Sequence, residues 1–233
     1  MDKPLKNGEK LVIIGAGELA EIAYEYFTYD SPYEIVAFSA DKDYIKNDKL
    51  YDLPVVPFED VHQIYPVTKY KAFVAVPYTN FNRLRTRFYY ETKNKGYQLV
   101  SYISSKAFVW RNVTIGENCF IFENNVLQHH VSIGNNVILW SGNHVGHRSV
   151  IKDNCFISSH VVIAGSCEIG ENCFLGINST INDETKVGKD CFISSGALVI
   201  KNTLEGKMYK GSPAKASPID TYSYFNIESE PVF

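Results

Sequence analysis

Five of the six histidines in this 233-residue chain fall in three neighbouring stretches. QHHVSIG holds His129 and His130, NHVGHRSVI holds His144 and His147, and SSHVVIAG holds His160. Imidazole changes charge close to neutral pH, so such a cluster suits one of two chemistries. A single histidine can take a proton from an attacking amine or hydroxyl, or three convergent imidazoles can hold a metal. A second group of polar and glycine residues lies near the N-terminus. Gly15-x-Gly17, with Ala20, sits between the apolar run LVII and the helical pattern ELAEIAYEYF, where bare backbone at a helix start can receive a phosphate. A tight strand-to-helix turn without a ligand explains the same residues. Asp41 closes the strand YEIVAFSAD and suits a base or ribose, although an acidic residue there is also an ordinary turn former. Asn82 and Arg83 open a further helix, FNRLRTRFYYETKNKG, Asn82 as a candidate for the same substrate and Arg83 as a solvated charge.

The elements that must position the histidines show a period of six. From Ile103 to Val199 every sixth residue is aliphatic, seventeen positions in succession. Two residues before each of these the side chain is nearly always small, and all five cysteines fall in that second column. Three hexapeptides then close a triangular turn of 18 residues, a parallel β-helix whose corners stack. Cys119, Val137, Cys155, Cys173 and Cys191 are expected to lie one above another inside the coil as small hydrophobic fillers, not as metal ligands or disulfides. Asn125 and Asn143, in the same column, are expected to form a buried amide ladder.

Stacking arithmetic separates the two chemistries. His129, His147 and Gly165 are 18 residues apart and share one outer column. A glycine above His147 leaves a slot for a thioester, with a backbone N–H for a developing oxyanion. The histidines otherwise occupy unlike places in their hexapeptides. His144 is one before an inward position, His147 two after one and His160 three after one, so convergence on a metal within one chain is not expected.

The segment before the coil reads as three strands and two helices, LVII, YEIVAFSAD and KAFVAV alternating with the helices named above. That is half of a doubly wound fold, sufficient for a nucleotide or nucleotide sugar and too short for a dinucleotide such as NAD. The domains are expected at 1–101 for this unit and 102–215 for the coil, with a tail at 216–233 that either packs on a neighbour's coil or lies disordered. Charged residues make up 21% of the chain and the net charge is −3, which gives no field for nucleic acid or an anionic membrane. No apolar run approaches a membrane span or a signal segment, and a cytoplasmic protein is expected.

From IIGAGELAE through the coil to VIKNTLEGKMYKGSPAK, the chain resembles the bacterial hexapeptide-repeat sugar acyltransferases, a family that includes sialic acid O-acetyltransferases and UDP-amino-sugar N-acetyltransferases. The coil and the closing GSPAK are its most specific parts. The resemblance implies a Rossmann-like α/β half domain that binds a nucleotide sugar, a left-handed β-helix, a homotrimer and acetyl-CoA lying between adjacent subunits, with no metal. It places the catalytic base on His147, CoA contacts on Gly165, Gly176, Ile177, Ser195, Gly196 and Pro213, and the sugar nucleotide on Gly15, Gly17 and Asp41, with Asn82 and His144 as further substrate contacts. It further implies N-acetylation of a nucleotide-linked amino sugar for lipopolysaccharide or another surface glycan. Alternatives are O-acetylation, a zinc enzyme of the γ-carbonic anhydrase kind, and a non-catalytic nucleotide-sugar-binding trimer. Three positions depart from the family pattern. Arg148 stands where many relatives have an acid after the histidine, Phe156 where some have a second histidine, and Trp140 where an asparagine is usual.

Overall fold

The computed structural model describes residues 8–211 and 213–225. Its N-terminal unit is a sheet of five strands: β1 (Lys10–Ile14), β2 (Glu34–Ala40), β3 (Lys49–Leu50), β4 (Leu53–Pro57) and β5 (Tyr70–Val74), in the order β3-β4-β2-β1-β5. All pairings are parallel except the short β3–β4 hairpin. The helices are α1 (Glu18–Asp30), α2 (Val61–Ile64) and α3 (Arg83–Asn94). β1 is buried on both faces, as a central parallel strand must be, which explains its unbroken apolar run. α1 buries Leu19, Ala20, Ala23 and Phe27 at i, i+1, i+4 and i+8, one helical stripe. The turn before it explains the two glycines differently. Gly15 has φ +134°, and a Cβ there would stand 2.5 Å from the Ala75 carbonyl oxygen, so only glycine fits. Gly17 has an ordinary φ of −106° and open space where its Cβ would be.

The rest of the chain is a left-handed parallel β-helix of two-residue strands in three faces. The first face runs from Tyr102–Ile103 through Phe120–Ile121 and Phe156–Ile157 to Met208–Tyr209, and carries the N-terminal unit; it is the docked face. The second includes His144–Val145, Val162–Ile163 and Leu198–Val199, and the third includes Val150–Ile151 and Glu168–Ile169. They are called the His144 face and the Glu168 face below. Strand partners are 18 residues apart throughout, as the period requires. The aliphatic column is buried from Ile121 to Val199, whereas Ile103 keeps its register at the open end of the coil and is 40% exposed.

The five cysteines are free and buried, and each thiol donates to a carbonyl of the next turn, as from Cys119 to Gly134 and from Cys191 to Leu204, both at 3.0 Å. Burial pushes the Cys119 thiol up to about 12, so it stays a neutral filler. The amide ladder is present, but one residue ahead of the expected column. Asn118 donates to Asn136 at 2.8 Å, and Asn136 to Asn154 at 2.9 Å. These belong to a column of left-handed corners that recurs every sixth residue from Asn118 to Gly196, where Asn is among the least costly non-glycine residues. Asn125 and Asn143 instead donate to main-chain carbonyls, both reaching Trp140, at 2.8 and 2.5 Å. Of the tail, Thr221–Phe225 is a short exposed helix; residues 226–233 lie outside the described residues, as do 1–7 and Ser212 of GSPAK.

Candidate active site

Two regions carry the candidate residues, and one chain holds them apart. The first is a cavity of about 880 Å³ at the C-terminal ends of β1, β2 and β5, the usual place for a ligand on an open parallel sheet. Gly15, Gly17 and Asp41 line it, with the start of α1, Tyr44, and residues 75–80 opposite. The coil closes one side with Trp140 and Phe156, the two aromatic departures from the family pattern. Trp140 lies flat on Phe122, with ring centroids 4.5 Å apart, and Tyr78 meets Phe156 edge-on at 5.0 Å. Gly17 leaves unfilled space at the N-terminus of α1, where main-chain N–H groups and the helix dipole favour an anion. Asp41 is not a free acceptor: Arg87 donates to its Oδ2 at 2.5 Å, so an incoming hydroxyl meets an ion pair.

Asn82 is in neither region, which corrects its assignment to substrate. It is fully buried, has φ +67° and donates to the carbonyl of Asn172 at 3.1 Å. With Asn80 and Phe81 it makes three successive non-glycine residues with positive φ, a strained turn at the edge of the cavity. The docking of α3 onto the coil holds that turn. The Asn118 amide exchanges bonds with the Val74 main chain, the N–H donating at 2.7 Å. Arg83 pairs with Asp190, so it is a docked charge and not a solvated one. Arg85, entirely buried, donates to the carbonyls of Pro77, Asn136, Asn154 and Cys155. Burial pushes its guanidinium down to about 10, still charged at neutral pH.

The second region is the corner between the His144 face and the Glu168 face, opposite the docked face. His129 and His147 stack there with centroids 5.5 Å apart and planes 9° from parallel. Gly165 follows in the same column, as the 18-residue spacing predicts, but it does not leave a slot for a thioester. A Cβ on Gly165 would stand 2.4 Å from Cε1 of His147, so the imidazole itself fills that space. Nor is its N–H available to an oxyanion, because it donates to Asp183 Oδ1 at 2.8 Å. Arg148 is a left-handed corner, φ +60°, whose N–H donates to the His129 carbonyl at 3.1 Å. Beside the column lies a second hollow, about 480 Å³, lined by Phe108, Trp110, Gln128 and His129.

The remaining candidates divide between corners. Gly176, Ile177, Ser195 and Gly196 lie between the docked face and the His144 face, on the cavity side of the coil. Gly176 is sterically required, since a Cβ would stand 2.5 Å from the Ser195 nitrogen, while Gly196 faces open space at φ +65°. Pro213 is exposed beyond the last coil strand, Met208–Tyr209. His144 is half-buried on the flat of its face, away from the cavity lining and at a different place from the His147 corner. His160 packs over Gly142 at the corner nearest the cavity. Among the described residues no three His, Cys, Asp or Glu side chains are placed to hold a metal ion. Nor is any helix of the described residues long and apolar enough to cross a membrane.

The bacterial transferase hexapeptide (six repeats) family matches at residues 112–147, 133–165 and 166–201. No curated protein matches the chain in sequence. Among solved structures, the chain is similar to a variant of perosamine N-acetyltransferase from Caulobacter crescentus in complex with CoA and GDP-perosamine, at 22% identity and TM-score 0.74, covering 88% of this chain and 93% of that one. It is similar also to the acetyltransferase domain of PglB from Neisseria gonorrhoeae in complex with acetyl coenzyme A, at 24% identity and TM-score 0.76, covering 90% and 99%. WeeI from Acinetobacter baumannii is similar at 20% identity and TM-score 0.74, covering 89% and 99%. At these identities the likeness speaks for the fold: an α/β half domain followed by a hexapeptide coil.

Proposed function

We propose that the chain is an acetyl-CoA-dependent N-acetyltransferase of a nucleotide-linked amino sugar, working as a homotrimer in which His147 of one copy completes the cavity of the next. The observation that carries this reading is the cavity itself, nucleotide-sized, open at the start of α1 and walled by aromatic residues of the coil. The Caulobacter protein with the same arrangement of domains holds GDP-perosamine and CoA together, and the Neisseria domain holds acetyl coenzyme A.

The need for a second copy follows from the triangular coil. The cavity adjoins the docked face, and His147 lies at the corner farthest from it. Between them the His144 face exposes Phe108, Val162 and Leu198, the last 67% exposed, an apolar row that a like subunit would cover. Packing that face against a neighbour brings a His147 corner toward the Gly176 and Ser195 corner beside another copy's cavity. In that groove the sugar amine attacks the thioester carbonyl, forming the C–N bond as the C–S bond breaks. The His147 imidazole takes the amine's proton and returns it to the departing thiolate. Asp41 and Arg87 face the nucleotide half of the cavity as an ion pair that sorts polar substituents.

The test has two arms. A thermal-shift screen of nucleotides and nucleotide sugars is expected to find a ligand that adds about 2.7 kcal/mol at 100 times its Kd. With that ligand as acceptor, His147→Ala is expected to lower kcat at least about 100-fold while the protein stays trimeric. Near-full activity of the variant removes His147 from the mechanism, and absence of CoA release with every amino-sugar nucleotide favours a binding protein over an enzyme.

A further inference from the structure

We infer that His129 is a positioning residue for His147, its ring holding the imidazole against Gly165 by face-to-face stacking. The inference rests on the reading of His147 as the base. A base is usually oriented by an acceptor that fixes one ring N–H, and among the described residues no side chain hydrogen-bonds the ring of His147. The residue after it, Arg148, has only donors and cannot accept from an imidazole.

What surrounds the ring is steric. On one side is the bare α-carbon of Gly165, close enough that a methyl group there would meet Cε1, Nε2 and Nδ1 of His147 within 3.0 Å. On the other side is the His129 ring, 5.5 Å away and 9° from parallel, within the range of offset stacking. The main chain fixes the spacing. The His147 N–H donates to Gln128 Oε1 at 2.9 Å, the Arg148 N–H to the His129 carbonyl at 3.1 Å, and the Ser166 N–H to the His147 carbonyl at 2.8 Å. His129 is itself backed edge-on by His130 at 5.4 Å. The imidazole thus sits in a clamp one ring thick. Its plane is set by packing, and its edge, which carries the nitrogens, stays open toward the groove. Gly165 is required at that place for the same reason.

The clamp requires a flat ring at position 129, not specifically an imidazole. His129→Phe is therefore expected to keep kcat within about threefold of the native trimer. His129→Ala is expected to lower kcat about tenfold or more with KM for both substrates nearly unchanged, the signature of a misplaced group that acts only in the transition state. The substrate-free counterpart is the nuclear Overhauser contact between the two rings, present in the native protein and lost in His129→Ala. Equal damage from Phe and Ala, or an unimpaired His129→Ala, overturns the clamp. His147→Ala separates the two readings. If it is inactive while His129→Ala is unimpaired, only the clamp fails; if it is active, the base assignment fails whatever His129 does.

Discussion

The junction between the N-terminal unit and the coil, and the His147 corner on the far side of that coil, are built on opposite plans. The junction is saturated: Arg85 serves four carbonyls without a carboxylate partner, Asn118 pairs with the Val74 main chain, and Tyr102, Phe120 and Phe27 interlock as aromatic edges and faces. The corner has almost none of this, only two stacked imidazoles and a glycine on an exposed edge. A junction that must hold a cavity rigid uses buried polar bonds that are costly to break. A corner that must meet a second subunit and two substrates leaves its groups unspent.

The contrast predicts unequal responses to substitution. Arg85→Ala leaves a hole and several unpaired carbonyls, and is expected to lower unfolding free energy by about 3–5 kcal/mol in urea titrations. His147→Ala, on the exposed corner, is expected to change it by no more than about 0.5 kcal/mol. Equal costs would erase the distinction between the two regions. Within the glycine turn the same division recurs on a smaller scale. Gly15→Ala places a methyl against the Ala75 carbonyl at a left-handed φ and is expected to cost about 2 kcal/mol in the same titration. Gly17→Ala has room and an ordinary φ, so it is expected to fold normally while weakening the nucleotide ligand about tenfold by isothermal titration.

The smallest effect concerns pH. Burial pushes the Asp30 carboxyl up, but hydrogen bonds from the Tyr102 hydroxyl at 2.6 Å and the Ser105 N–H at 2.8 Å outweigh it and hold it below the usual carboxylate range. A depressed folded-state value contributes stability that is complete above the unfolded value and lost as pH falls through the folded one. Melting temperature is therefore expected to drop below about pH 4, and Asp30→Asn to flatten that limb. An unchanged acid limb would show that this bond adds nothing to the junction.

The sequence makes the coil plain and the junction nearly invisible, and the reason is range. A period of six repeats locally, so the aliphatic column, the cysteine stack and the alignment of His129, His147 and Gly165 all follow from counting. The amide ladder was expected at Asn125 and Asn143 because inward positions were taken to set it. It forms at Asn118, Asn136 and Asn154 because left-handed corners select asparagine, a signal equally periodic and open to the same counting. β4 goes unread because Pro54 and Pro57 disguise a strand. Asn82 and Arg85 reach across the fold to carbonyls 51 to 91 residues away, which no local pattern reveals. Trp140 and Phe156 were visible as oddities in the coil, but only the packed N-terminal unit turns them into a cavity wall. The thioester slot at Gly165 was misread because counting gives the column and not the side-chain orientation that fills it.

The central claim, that a complete site joins the cavity of one copy to the His147 corner of another, is tested most directly by mixing two inactive chains. One carries His147→Ala and keeps its cavity; the other keeps His147 and has the cavity blocked by Gly17→Trp. Unfolded together and refolded as mixed trimers, they are expected to recover about a quarter of native acetyl transfer, the share of random neighbour pairs that join a good cavity to a good histidine. Mixed trimers without activity, formed from chains that each bind as their substitution allows, would contradict the claim and confine any site to a single chain.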